Sequence, residues 1–189
     1  MAGRVSSGRG ALAGSLGINV LSHQARAEIQ DDEDGQGSTI KADSLQVSSV
    51  STESSIWSLA GGVAYGNKAG VGAAFGVNHI EGEHSATVAG ATLDIKDQTR
   101  VAADNEAQIV GLAASVGAGG SAGVGFSIGV NNISGTTGAY LRDVREPQGN
   151  PQQEDVLVIA QDHSAIWAGT GSIQAGGKSA LGGPLAIHR

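Results

Sequence analysis

Residues 56–80 read IWSLAGGVAYGNKAGVGAAFGVNHI, and the chain states this stretch again further on. Moving forward 53 positions (109 − 56) gives residues 109–133, IVGLAASVGAGGSAGVGFSIGVNNI. Moving forward 110 (166 − 56) gives residues 166–189, IWAGTGSIQAGGKSALGGPLAIHR, again without a gap. Moving back 59 (78 − 19) lays GALAGSLGINV, residues 10–20, on residues 69–79. The chain is thus read as one repeat array over 1–189: a partial unit 1–53, units 54–106 and 107–163, and a partial unit 164–189. Both ends fall inside a unit, so a stretch of a longer polypeptide is expected.

Taking every second residue shows what the repeat says physically. Val71, Ala73, Phe75 and Val77 fall on one side of an extended chain, and Gly70, Gly72, Ala74 and Gly76 on the other. The copies keep this division, with Val124, Phe126, Ile128 and Val130 set against Gly123, Gly125, Ser127 and Gly129. Successive side chains of a strand point to opposite faces, so the alternation predicts strands. The first half of the stretch alternates too, with Trp57, Leu59, Val63 and Tyr65 against Ser58, Ala60, Gly62 and Ala64. Between the halves, Gly66-Asn67-Lys68-Ala69, Gly119-Gly120-Ser121-Ala122 and Gly176-Gly177-Lys178-Ser179 are turn chemistry. Each copy is two strands and a tight corner.

The bulky residues, among them Val71, Phe75, Val77, Val124, Ile128 and Val130, are expected to form the core. Trp57 and Trp167 occupy equivalent positions and are expected as core or cap residues. A glycine repeated inside strands marks a place where another backbone comes close, so the small face is expected as a layer contact or a thin outer wall. A Gly/Ala linker would not hold its bulky residues in phase through four copies. Asn19, Asn78 and Asn131 recur just after the aliphatic strand, where stacked amides form ladders; the fourth copy has His188 there.

Elsewhere each unit offers further short strands. Residues 24–29, 86–88, 90–96, 99–102, 139–141 and 156–159 have strand composition, with Ile40, Leu45 and Val47 expected to be buried. The loop REPQGNPQQED, residues 145–155, holds two of the three prolines and is expected on the surface, where insertions are tolerated. Four or five short strands per unit with no helical period exclude an α/β pattern. Units that close a core only by stacking on a neighbour predict an all-β, repetitive β-solenoid resembling a parallel β-helix, with stacked β-hairpins or a β-sandwich as the alternative.

Composition narrows function. Aromatics are 3% of the chain while glycine supplies 31 of 189 residues, which suits thin regular layers. There is no cysteine, and the net charge of −7 argues against binding nucleic acid or anionic lipid, either of which would want a basic stripe. No run of about 18 apolar residues is present, so nothing is expected to span a membrane as a helix, and insertion by this segment is not expected. Arg4, Arg9 and Ala25-Arg26-Ala27 around ALAGSLGINVL could score as a signal peptide, but the repeat accounts for the same residues.

Candidate chemistry is sparse. Asp31, Asp32 and Asp34 cluster before Gly35, but neither the EF-hand alternation nor the calcium nonapeptide is present, so a solvated acidic loop is expected. His79, Glu81, Glu83 and His84 in HIEGEH could offer ligands to zinc or copper, the first three sharing one face of a continuing strand, yet the matching NISGTT of the next unit offers none. The five histidines have no consistent partners, and the glycines alternate inside strands instead of opening a helix. No catalytic residue, cofactor or metal is expected.

The recurring LAGSLGINV, VGAAFGVNHI and VGFSIGVNNI are each followed by a short strand such as HSATV or TTGAYL, then by a segment such as ADSLQVSS or ATLDIKD. This pattern resembles the repeats of large secreted bacterial exoproteins, the filamentous haemagglutinin-like and leukotoxin-like adhesins exported by two-partner secretion or as autotransporters. The resemblance implies an extended β-rich rod, secreted or on the bacterial cell surface, serving cell adhesion and virulence through contact with a host or neighbouring-cell surface. The family's secretion domain and membrane β-barrel have no counterpart in these residues. A carbohydrate-binding β-solenoid module is the other function expected, with Trp57, Trp167, Tyr65 and Tyr140 as the aromatics available. Exposed strand edges imply end-to-end self-association.

Overall fold

The computed structural model describes residues 2–31, 38–147 and 155–189. Asp32, Asp34 and most of the 145–155 loop lie outside the described residues. Six strands account for nearly all of the rest: β1 (Ala2–Gln30), β2 (Thr39–Ala89), β3 (Thr92–Gly119), β4 (Ala122–Arg142), β5 (Asp155–Gly176) and β6 (Ser179–His188). They form one sheet in the order β5-β3-β2-β4-β6, with β1 also on β2. Every pairing is parallel.

The register follows the repeats. Ile56 pairs with Ile109 and Ile109 with Ile166, while Asn19 pairs with Asn78, Asn78 with Asn131, and Asn131 with His188. Like residues therefore stack on like, and each segment hydrogen-bonds to its counterpart one unit on. The strands are longer than the expected four or five short pieces, because the chain bends without leaving the ladder. Even the corners stay paired: Gly90, in the left-handed region at φ 74°, still donates its N–H to the Arg142 carbonyl at 3.1 Å. At the turn between the two halves of the repeat, Ser121 N–H bonds the Lys68 carbonyl at 2.9 Å and Lys178 N–H the Ser121 carbonyl at 3.0 Å.

Each unit has two unlike parts. The body is filled by large aliphatic side chains, with Val47, Val88, Leu93, Ile95 and Val101 in one buried cluster. Ile40, Leu45, Ile29 and Leu141 pack against it. Two columns of isoleucines packed together, Ile56–Ile109–Ile166 and Ile80–Ile133, form a neck. Beyond the neck, the two arms of the repeated stretch fold face to face as a thin blade, whose interior is alanine, glycine and serine.

The blade corrects the expected core. Its bulky face points outward, and its small face is buried. Ala13, Ala60, Ala64, Ala74 and Ala113 are buried, whereas Val71, Phe75, Val77, Val124, Ile128 and Val130 are only partly covered, by their neighbours along the ladder. Trp57 and Trp167 are 72% and 65% exposed, neither core nor cap. The reason is backbone proximity. A Cβ built on Gly62 would lie 2.4 Å from the Ala73 carbonyl oxygen, and one on Gly72 2.3 Å from that of Val116. Ordinary stacked sheets stand about 10 Å apart; arms this close have no room for anything larger than alanine or serine between them. The half of the expectation that made the small face a layer contact agrees with this geometry.

Candidate interaction surface

Within the blade, polarity is partitioned the opposite way from an ordinary water-soluble sheet. The outward positions of the first arm are Trp57, Leu59, Gly61, Val63 and Tyr65 in one unit, and Val110, Leu112, Ala114, Val116 and Ala118 in the next. Those of the second arm include Val71, Phe75 and Val77, then Val124, Phe126, Ile128 and Val130. None carries a charge. The hydroxyls and amides of the same arms point inward: Ser58, Asn78, Ser115, Ser127, Asn131 and Ser172. Leu12, Leu16, Ile18, Leu112, Ile173, Leu181 and Leu185 are all more than half exposed. Each large side chain left in water forgoes about 1.5–3 kcal/mol of burial free energy, so the face is costly unless something apolar covers it.

The inward amides are satisfied by one another. Asn19 Nδ2 donates to Asn78 Oδ1 at 2.8 Å, a half-buried bond, and Asn78 Nδ2 donates to Asn131 Oδ1 at 2.7 Å, a buried one. Gly111 lies across from this ladder: a Cβ there would stand 2.6 Å from Asn131 Oδ1 and 2.9 Å from Asn78 Nδ2. Ser127 Oγ donates to the Gly171 carbonyl at 2.9 Å. Phe75 and Phe126 meet edge to face on the outside with centroids 5.4 Å apart.

A polar compartment lies inside the body just past the neck. His84, 1% exposed, packs its ring 4.8 Å from that of His23, and neither of its nitrogens has a hydrogen-bond partner among the described residues. Burial, and then the nearby His23, hold His84 below the usual histidine range, while the charge of Asp162 acts against both. Burial alone would push Asp162 up, but hydrogen bonds from Ser164, Asn105 and Thr137 outweigh it and keep the carboxyl below the usual carboxylate range. A cleft of about 330 Å³ adjoins Asn105, Asp162 and Ser164. His84, a candidate ligand by sequence, is thus turned inward, away from His79, Glu81 and Glu83; its contact with His23 escaped sequence reading, because the two come from different units and do not share a repeat position.

The candidate ligands do not gather. His79, Glu81 and Glu83 lie on the outward face as their spacing requires, about 6.6 Å apart in succession. His79 Nδ1 is hydrogen-bonded to Asn132 at 2.9 Å, and Glu83 accepts from Gln24 at 2.6 Å and Arg26 at 2.7 Å. Asp31 Oδ1 accepts from the Ser38 N–H at 2.8 Å. Among the described residues no three metal-ligating side chains come together. Comparison with protein-family models, curated proteins and solved structures found nothing that matches this chain.

Proposed function

We propose that the chain is a structural repeat segment of a secreted or surface-exposed bacterial adhesin, folded as a β-solenoid. It supplies reach and stiffness for attachment to a host or neighbouring cell and performs no catalysis. The observation that carries this reading is the in-register parallel pairing of each unit with the next, at separations of 53, 57 and 59 residues. Such pairing makes length proportional to the number of units, which is what a spacer requires. Concatenating further units should lengthen the particle by about 4.8 Å per unit in small-angle scattering. Beads coated with the chain should bind cells, and antibodies should label it on intact producing cells; a particle that thickens instead of lengthening, or labelling only after permeabilisation, would refute the reading.

Trp57 and Trp167, exposed on the outward face, favour a second reading as a carbohydrate-binding module. A glycan array decides it. Binding to defined sugars that disappears in Trp57→Ala with the fold intact supports the module, and an empty array removes it.

A further inference from the structure

We propose that the blade is a membrane-inserting element whose partner is the acyl-chain region of a lipid bilayer. This goes beyond the rod reading and does not depend on it. The absence of a long apolar helix among the described residues bears on helical insertion alone; a strand enters lipid under different requirements. It needs every backbone polar group paired, an outward face without polar side chains, and about 9–11 residues of length.

The blade's outward face and length meet the last two, and its backbone meets the first along the inner strands. Its backbone groups are paired to the neighbouring units along β2, β3 and β4, while β1, β5 and β6 each keep one open edge that a further strand must pair before those arms enter lipid. Its outward positions from Trp57 to Tyr65, from Val71 to Val77, from Val110 to Ala118 and from Val124 to Val130 are all apolar, and the hydroxyls and amides are turned inward. This is the alternation of a lipid-facing strand. The arms 57–66 and 69–78 have ten residues each, or about 33 Å at 3.3 Å per residue, against a hydrocarbon core of about 30 Å.

The ends of the arms match the two edges of such a layer. Trp57 and Trp167 sit at the neck end and Tyr65 next to the turn, the positions that amphipathic rings take at membrane boundaries, with Phe75 and Phe126 between them. Although the whole chain carries a net charge of −7, the turn gathers exposed cations, Arg9, Lys68 and Lys178, in three units, a local positive tip suited to lipid phosphates. Past the neck the outside becomes charged at once, with Glu81, Glu83, Arg26, Asp104 and Glu106, which sets a limit to entry. A second copy of the chain fits less well: it would cover one outward face of the blade and leave the other bare.

Flotation of the full chain with phosphatidylcholine vesicles, with and without phosphatidylglycerol, tests the proposal. The chain should rise with both, more strongly with the anionic lipid, and emission from Trp57 and Trp167 should shift to shorter wavelength. Leu112→Glu with Val63→Glu places charge on outward positions that are 51% and 41% exposed, so the fold should survive, as circular dichroism will report. Vesicle partitioning should fall about thirtyfold or more. Should the double variant unfold, Val63→Ser with Leu112→Ser gives the same comparison with a smaller loss. A chain that stays down with both vesicle types, or folded variants that float undiminished, would overturn the proposal. So would lipid-independent self-association that the variants abolish, which would identify a second copy as the partner.

Discussion

Gly72 and Gly76 lie four residues apart on the same inward face of β2, and substituting each by alanine tests the blade geometry directly. A Cβ on Gly72 would meet the Val116 carbonyl oxygen at 2.3 Å, its carbonyl carbon at 2.8 Å and the Gly62 oxygen at 3.2 Å. Non-bonded carbon and oxygen rarely approach below about 3 Å, so the opposing arm must retreat by the better part of an ångström. That retreat also loosens the flanking Ala60, Ala74 and Ala113 contacts. Overpacking of this kind costs about 1–3 kcal/mol. A Cβ on Gly76 would meet only Ala113 Cβ, at 4.0 Å, an ordinary contact. There the lost backbone freedom of the unfolded chain dominates, and Gly76→Ala should be neutral or stabilising by about 0.4–1 kcal/mol. Urea denaturation of the two variants and the parent chain should therefore place Gly72→Ala below the parent and Gly76→Ala at or above it. If Gly72→Ala matched the parent, or both variants fell equally, the arms would not be in backbone contact and the inward assignment of the small face would fail.

Three further outcomes are expected. Asn78→Ala removes the middle of the amide ladder and leaves the buried Asn131 Oδ1 without its donor, so it should cost about 1–3 kcal/mol in denaturation, whereas Asn132→Ala on the outer face should cost less. His84 is held below its ordinary range by burial, so the unfolded chain binds its proton more readily. Stability should thus be full above about pH 6.5 and decline as pH falls below it toward the folded value, and His84→Gln should flatten that slope in denaturation at a series of pH values. Finally, Val101 is 0% exposed in the body core while Phe75 is outward, so Val101→Asp should abolish cooperative folding and Phe75→Asp should leave it intact, as thermal melts followed by circular dichroism will show.

The sequence by itself determined which segments are extended, where they turn, and which residue stacks on which. Alternation of period two marks strands whatever they pack against, and copies offset by 53, 57 and 59 residues carry their register with them, down to the Asn19–Asn78–Asn131 column. The body core was legible on the same terms in part, with Val47 buried as expected and Ile40 and Leu45 only half-buried against it. Only the tertiary structure decided which face of the blade is inside. Alternation gives two faces and no sign, and the usual rule that bulky residues lie inside assumes a core with room for them. Here the two arms close until their backbones touch, as at Gly62 and Ala73, and that contact admits only the small face; Val71, Phe75, Trp57 and their equivalents are left outside. The His23–His84 contact was likewise decided in three dimensions, because it joins positions of different units that the repeat does not relate.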